Sequence, residues 1–308
     1  MTPIHLTGLS ADLPIAVMAA FGTLRVAQRV EQLRGAKLSW EPRGSSFTAV
    51  LWTPVPCSAE ELSAALLADV RATLNRPELS WSDTIKGATR TQFVEAIEKH
   101  GACDGWFAAF GSDLALRNEK IVPTPFDTTG GPQRFLAIFG NLIRSLSTET
   151  DSRSLASFHE AIIGPWRYLE NQHALGWDPN TIRLGAFTHM DPSPMPKAAV
   201  RTAIMLAFES LPCFPCFYSG GLATRAFRKI GRTVYLRWPV WEAPVSILEL
   251  ETLLAWNELT AENPKLDRLK ARGIWAIFQS QRYKLGDYYS AFRSADLVAG
   301  GVPLAHAV

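Results

Sequence analysis

The sequence predicts an α+β fold in which helices mix with short antiparallel sheets and form two closely packed lobes. Segments with helical periodicity alternate with short runs that are typical of strands. The 308 residues contain no internal repeat, low-complexity tract or clear linker, and they suffice for a substantial core. We place the boundary near 147–153, which gives an N-terminal lobe of residues 1–150 and a C-terminal lobe of residues 151–308.

The predicted elements of the N-terminal lobe follow recognisable start and turn signals. Gly22 interrupts an apolar helical pattern, which indicates that another helix packs closely against it. Ser58 and Glu61 have the spacing of a capping box at the start of a helix. The predicted elements are a strand over 3–8, helices over about 13–33, 59–74 and 90–100, a hairpin over 38–52, and a buried strand over 106–116.

A Pro-rich extended run leads into a central helix within residues 121–146. Gly130 and Gly131 end the run, and Pro132 opens a stretch whose apolar residues share one helical face. A glycine-rich turn before a helix presents free N–H groups that suit phosphate or carboxylate. The spacing fits neither a P-loop nor a dinucleotide-binding turn, so the sequence favours a plain turn, which we interpret as the hinge between the lobes.

The C-terminal lobe has fewer helix signals and more Pro, Gly and Trp. The predicted elements are helices over 153–162, 197–211, 246–259 and 264–271, and strands within 182–187, 212–227, 232–241 and 273–284. The last of these strands is expected to end the ordered part, with a frayed C-terminus after it.

Composition and charge describe a folded protein without a dominant electrostatic signature. Hydrophobic residues make up 47% of the chain and charged residues 19%, which excludes a disordered protein. A formal net charge of +2 is small for a free-standing nucleic-acid binder, so any such role depends on local patches. Four scattered cysteines, and an N-terminal apolar run too short to span a bilayer, predict a cytoplasmic protein without membrane association.

Motifs for catalysis are absent from the sequence, and we expect neither enzymatic activity nor a cofactor. Cys213 and Cys216 have CxxC spacing, but they follow a helix instead of opening one, which favours buried thiols over redox or metal chemistry. No GxSxG, Walker or HExxH motif occurs. The least supported alternative is a small-molecule enzyme, with its site at Gly130, Gly131, His189 and Asp191.

Two clusters of basic residues in the C-terminal lobe are the strongest functional signal. Phe227 and Tyr235 interleave with the first cluster, and cations with stacking rings are the components of a nucleic-acid groove. The alternative is an ordinary solvated face, balanced by acids such as Glu242 and Glu249. The candidate nucleic-acid-binding residues are Arg225, Arg228, Lys229, Arg232 and Arg237 in the first cluster, Arg268, Lys270 and Arg272 in the second, and Arg134 on the central helix.

Several dispersed stretches carry a resemblance to a known family. They are LTGLSADLPIAVMAAFGTLRVAQRV with the hairpin LSWEPRG, the central TPFDTTGGPQRFL, and, in the second half, LGWDPNTIRLGAFTHMDPSPMP, ESLPCFP, GGLATRAF and LRWPVWEAPVSILELETLL. In type and order these stretches resemble the CRISPR-associated subunits of type I-G (formerly type I-U) interference systems.

The resemblance implies a non-catalytic effector-complex protein, related to a large or accessory subunit. Such a subunit would act in antiviral defence with CRISPR RNA, target DNA and other effector subunits. Cleavage in these systems belongs to a separate helicase–nuclease, and this sequence has neither helicase motifs nor an HD pair. A length of 308 residues is short for a full large subunit, so the resemblance leaves the exact subunit open.

The leading hypothesis is a subunit of a type I CRISPR RNA-guided surveillance complex that binds the guide RNA or target DNA backbone through its basic residues. Its rival is a protein–protein scaffold without nucleic-acid contact, because interfaces also favour Trp, Tyr and Arg. Salt dependence of nucleic-acid binding separates the two hypotheses, since a pure scaffold gives no such slope.

Overall fold

The computed structural model describes residues 1–101, 104–131, 133–171, 175–181, 198–285 and 289–303, and within them the protein has the predicted α+β fold. The helices are α1 (Pro14–Arg29), α2 (Ala59–Ala72), α3 (Pro77–Ser80), α4 (Arg90–His100), α5 (Trp106–Phe110), α6 (Phe135–Thr148), α7 (Asp151–Ile163), α8 (Arg201–Glu209), α9 (Ile247–Leu254), α10 (Asn257–Thr260) and α11 (Leu266–Lys270). The strands are β1 (Thr2–Ser10), β2 (Lys37–Arg43), β3 (Ser46–Thr53), β4 (Leu116–Arg117), β5 (Lys120–Ile121), β6 (Glu170–Asn171), β7 (Ala198–Ala199), β8 (Cys216–Tyr218), β9 (Leu222–Thr224), β10 (Phe227–Ile230), β11 (Thr233–Trp241), β12 (Ile274–Leu285), β13 (Tyr289–Phe292) and β14 (Asp296–Gly300).

A three-stranded antiparallel sheet in the order β1–β3–β2 packs against α1. β2 and β3 form the predicted hairpin, joined by a two-residue turn in which Gly44 has a φ of +60°. α1 also packs along α8, and Gly22 lies at that contact, which confirms the predicted close helix packing. α1 therefore lies between the first sheet and the second half of the chain.

A five-stranded antiparallel sheet dominates the second half. Its strands run in the order β10–β11–β12–β13, and β14 pairs with the first part of β12. The indole N–H groups of Trp238 and Trp241 donate to the carbonyl oxygens of Ala11 and Leu38, at 3.0 and 2.9 Å. One hydrophobic core includes residues from both halves, and the division at residue 150 stays a prediction.

A buried cluster of ion pairs joins α1, α2 and α8. Glu209 at the end of α8 is 1% exposed and accepts hydrogen bonds from Arg76 and, at 2.9 Å, from Arg29. Arg29 donates in addition to both carboxylate oxygens of Asp69, at 3.0 and 2.6 Å. Burial by itself raises the pKa of Glu209, but Arg76 and Arg29 outweigh it and lower that pKa to about 2.

Most predicted elements with clear caps are present. The capping box of Ser58 and Glu61 starts α2, and further capping boxes start α4 and α9. Among the described residues, no helix combines the length and the apolar character needed to cross a membrane. The predicted strand within 182–187 lies outside the described residues.

Two predictions about strands are wrong. Trp106–Phe110 forms α5 instead of a strand, because a short apolar run can be buried equally well on either element, and Trp106 stacks on Phe208 with ring centroids 4.6 Å apart. The ordered part also continues past residue 284, since β13 and β14 complete the second sheet.

Candidate nucleic-acid interface

One face of the five-stranded sheet carries cationic and aromatic side chains. Directly paired positions on neighbouring strands project to the same face of a sheet. Arg228 pairs with Tyr235, which pairs in turn with Gln281, so the three form a row across β10, β11 and β12. Arg293 extends the row, because its backbone N–H donates to the backbone carbonyl oxygen of Gln281 at 3.0 Å. Tyr283, two residues after Gln281 on β12, shares this side, and we call these five residues the outer face.

The outer face is accessible and cationic. Arg293 is exposed, and the other four residues are partly exposed. The guanidinium carbon of Arg293 lies 4.8 Å from the ring centroid of Tyr283, and Arg228 donates a long hydrogen bond of 3.4 Å to the carbonyl oxygen of Thr260. Within the described part of the chain, neither arginine forms an ion pair. Both guanidinium groups therefore have donors left for an anionic ligand.

The opposite face of the same sheet belongs to the hydrophobic core. The rings of Phe227 and Phe292 lie 5.0 and 6.1 Å from the ring of Phe126, measured between centroids. Arg282 projects to this inner side, where it donates to the carbonyl oxygen of Asp127 at 3.2 Å and where burial lowers its pKa. The alternation of β12 thus separates the inward Arg282 from the outward Tyr283.

The hairpin of β10 and β11 extends the cationic surface beyond the sheet. Ile230 pairs with Thr233, and Gly231 and Arg232 form the two-residue turn between them. Gly231 has a φ of +58°, a conformation that suits glycine at the first central position of a hairpin turn. Arg232 and Lys229 are both exposed at this tip.

Arg237 is buried, and its guanidinium group is hydrogen-bonded within the protein. It is 3% exposed, and its guanidinium donates to the carbonyl oxygens of Ala261 and Leu259 at 2.6 and 3.3 Å, and to the side chain of Gln279 at 3.1 Å. Burial and the nearby charge of Arg228 lower the pKa of Arg237 to about 10. These contacts hold the end of α10 on the sheet, so the geometry does not favour the prediction that Arg237 contacts nucleic acid.

The second basic cluster lies beside the sheet, on and after α11, which contacts β12 and β14. Arg268 forms an ion pair of 2.8 Å with the buried Glu258. The guanidinium of Arg272 lies 4.4 Å from the ring centroid of Trp256. Lys270 is exposed at the end of α11. Of these three cations, Lys270 keeps the most freedom to bind a ligand.

Arg225 and Arg134 each have a local partner. Arg225 is partly exposed and donates to the carbonyl oxygen of Cys213 at 3.4 Å. Arg134 precedes α6 and forms an exposed ion pair with Asp83 at 2.5 Å. Within the described residues, no hydrogen bond or ion pair joins either arginine to the outer face. Their roles in nucleic-acid binding stay predictions.

The structure also places the other candidate sites. Cys213 and Cys216 are free and buried, and burial raises the pKa of their thiols to about 12 and about 11. Gly130 does not open α6, and its N–H donates to the side chain of Gln133 at 3.2 Å. The described residues contain no group of three or more His, Cys, Asp or Glu that could hold a metal ion. Pro132, His189 and Asp191 lie outside the described residues.

Sequence reasoning missed Gln281 and Arg293. No short-range pattern marks them. Gln281 reaches the outer face through its pairing with Tyr235 on β11, and Arg293 through the register between β12 and β13. No protein-family model matches the chain, and no curated protein matches it either. The functional argument therefore depends on the geometry of the outer face, because guanidinium groups bind phosphate and partly exposed aromatic rings can stack on bases.

Proposed function

We propose that this protein is a non-catalytic subunit of a type I CRISPR RNA-guided surveillance complex, and that its outer face contacts the backbone of guide RNA or target DNA. The proposal places it in the cytoplasm, with the other effector subunits as partners. Membership in such a complex rests on the resemblance of the dispersed sequence stretches. The nucleic-acid contact rests on one observation, the row of Arg228, Tyr235, Gln281 and Arg293 across the second sheet.

A salt titration tests the nucleic-acid contact. Arg228→Glu with Arg232→Glu should weaken binding to all sequences, because backbone contacts carry no sequence information. Removing two phosphate contacts should reduce the slope of log K against log salt by about 1.5. Lys99→Glu with Arg144→Glu is the matched control, since both residues are exposed on helices and the charge change is the same.

Two results would contradict the contact. One is equal binding by the Arg228→Glu, Arg232→Glu variant and the control variant. The other is a wild-type protein that binds neither RNA nor DNA at low salt. Purification of the tagged chain from its native host tests the complex itself, and we expect CRISPR RNA and further effector subunits to copurify; the chain alone, without RNA, would count against it.

Exposed apolar side chains favour a protein–protein scaffold as the second candidate. Phe217 and Tyr218 on the β8–β9 hairpin are 51% and 53% exposed, and Leu248 on α9 is 72% exposed. Large exposed apolar groups are frequent at protein interfaces. A scaffold would retain its partner subunits after Arg228→Glu with Arg232→Glu, but would lose them after Phe217→Ser with Leu248→Ser.

A further inference from the structure

We infer that the outer face binds a single strand and not a duplex, with separate bases stacked on Tyr235 and Tyr283. This inference rests on the proposed function and narrows its ligand. The two rings come from neighbouring strands of one sheet, and both are partly exposed on its outward side. Arginines flank them at the two ends of the row: Arg228 on β10, and Arg293 directly after β13.

The spacing of the two tyrosines does not match the spacing of neighbouring stacked bases. Tyr235 pairs with Gln281, and Tyr283 is two residues further along β12, so the tyrosines are diagonal neighbours on one face. Such positions lie about 7–8 Å apart. Consecutive bases of a duplex are about 3.4 Å apart and cover each other's faces. Only a strand whose bases are unstacked and spread can place one base on each ring.

The cations of the outer face suit the backbone of a short single-stranded tract. Neighbouring strands are about 4.8 Å apart, so the row from Arg228 to Arg293 spans roughly 14 Å. Arg293 already lies 4.8 Å from the ring centroid of Tyr283, where its planar guanidinium can stack beside a base and bind a phosphate. With Arg232 included, three phosphate contacts predict a salt slope of about −2 on a single strand.

The test compares one sequence in two forms, a short oligonucleotide with 2-aminopurine near its centre and the matched duplex. We expect the single strand to bind at least tenfold more tightly. The fluorescence of bound 2-aminopurine should be lower on the wild type than on Tyr235→Leu with Tyr283→Leu, because unstacking alone would raise it. Tyr235→Leu with Tyr283→Leu should weaken single-strand binding at least thirtyfold, because each stacked base contributes about 1–3 kcal/mol. The salt slope should stay unchanged. Tyr218→Leu, at an exposed tyrosine outside the outer face, is the matched control.

The outcomes separate this inference from the function on which it rests. Equal or tighter binding of the duplex, or full single-strand affinity in the Tyr235→Leu, Tyr283→Leu variant, overturns the stacking inference and leaves the proposed nucleic-acid contact intact. Absence of binding to either form by the wild type overturns the proposed contact itself. If the double variant does not fold, the single variants Tyr235→Leu and Tyr283→Leu replace it, and full single-strand affinity in both overturns the inference alone.

Discussion

Gly22 of α1 lies directly against the backbone carbonyl of Leu206 in α8. A Cβ added at residue 22 would lie 1.7 Å from that carbonyl oxygen, far inside van der Waals contact. The two helices therefore approach as closely as their backbones allow, and this contact joins the two halves of the chain.

Gly22→Ala should destabilise the protein, because the helices must separate along their length to admit a methyl group. We expect the free energy of unfolding to fall by about 1–3 kcal/mol, as for other overpacked sites, measured by urea denaturation. Gly140→Ala on α6 is the control, since the nearest atom to its added Cβ is 3.9 Å away. Alanine's helix propensity should make that variant equal to wild type or more stable. Equal stability of the two variants would contradict the tight contact.

Glu209 should make stability depend on acid pH. Its pKa of about 2 in the folded protein lies below the ordinary 4.5, so folding favours the ionised carboxylate. The stabilisation is complete above about pH 4.5 and is lost as the pH falls toward 2. Linkage gives a loss of about 3 kcal/mol over that interval.

Glu209→Gln tests this assignment. The variant should be less stable by about 3–5 kcal/mol at pH 7, because it leaves Arg29 and Arg76 with a neutral acceptor in a buried site. The free energy of unfolding of this variant should not show the loss between pH 4.5 and pH 2 that is expected for the wild type. Glu262→Gln at an exposed glutamate supplies the control. Parallel pH profiles for wild type and Glu209→Gln would show that the buried cluster does not have this role.

Substitution of Arg237 should lower stability, whereas substitution of Arg232, five residues away, should lower nucleic-acid affinity. Arg237→Met leaves the carbonyls of Leu259 and Ala261 without their donor, and should cost about 3 kcal/mol of stability. Arg232→Met at the exposed tip should change stability by less than about 0.5 kcal/mol but reduce nucleic-acid affinity. Thermal denaturation and filter binding measure the two effects. Equal loss of stability in both variants would contradict the burial of Arg237.

The buried thiols should resist alkylation in the folded protein. Burial raises the pKa of Cys213 to about 12 and that of Cys216 to about 11, so almost no thiolate is present at pH 8. Of the three cysteines within the described residues, Cys57, which is partly exposed, should react first with iodoacetamide. Peptide mapping by mass spectrometry identifies the labelled residues, with urea-unfolded protein as the control. Early labelling of Cys213 would contradict its buried position.

Local signals predicted the elements whose stabilising contacts are local. The capping box of Ser58 and Glu61, the hairpin turn at Gly44 and the helix Arg90–His100 each depend on residues a few positions apart. The prediction for Trp106–Phe110 was wrong, because a five-residue apolar run is too short for its periodicity to distinguish a helix from a strand.

The candidate site was predicted only in part, for a related reason. The first basic cluster includes Arg228 and Arg232, but whether an arginine is buried depends on distant segments. Arg237 is covered by α10, more than twenty residues further along the chain. Arg293 reaches the outer face only through its pairing with Gln281. The sequence shows which residues are cationic, but the register between strands determines which of these residues lie on the same surface.

The hydrogen bond from Trp238 to Ala11 has a consequence for folding during synthesis. It joins residues 227 positions apart, so it belongs to the non-local contacts that slow folding. A ribosome that adds 5–20 residues per second needs roughly 11 to 45 seconds to cover that distance. During this time the second sheet has not yet been synthesised, so the apolar surface of the first sheet and α1 that it later covers stays exposed to solvent. The emerging N-terminal half would therefore be the segment that nascent-chain chaperones protect.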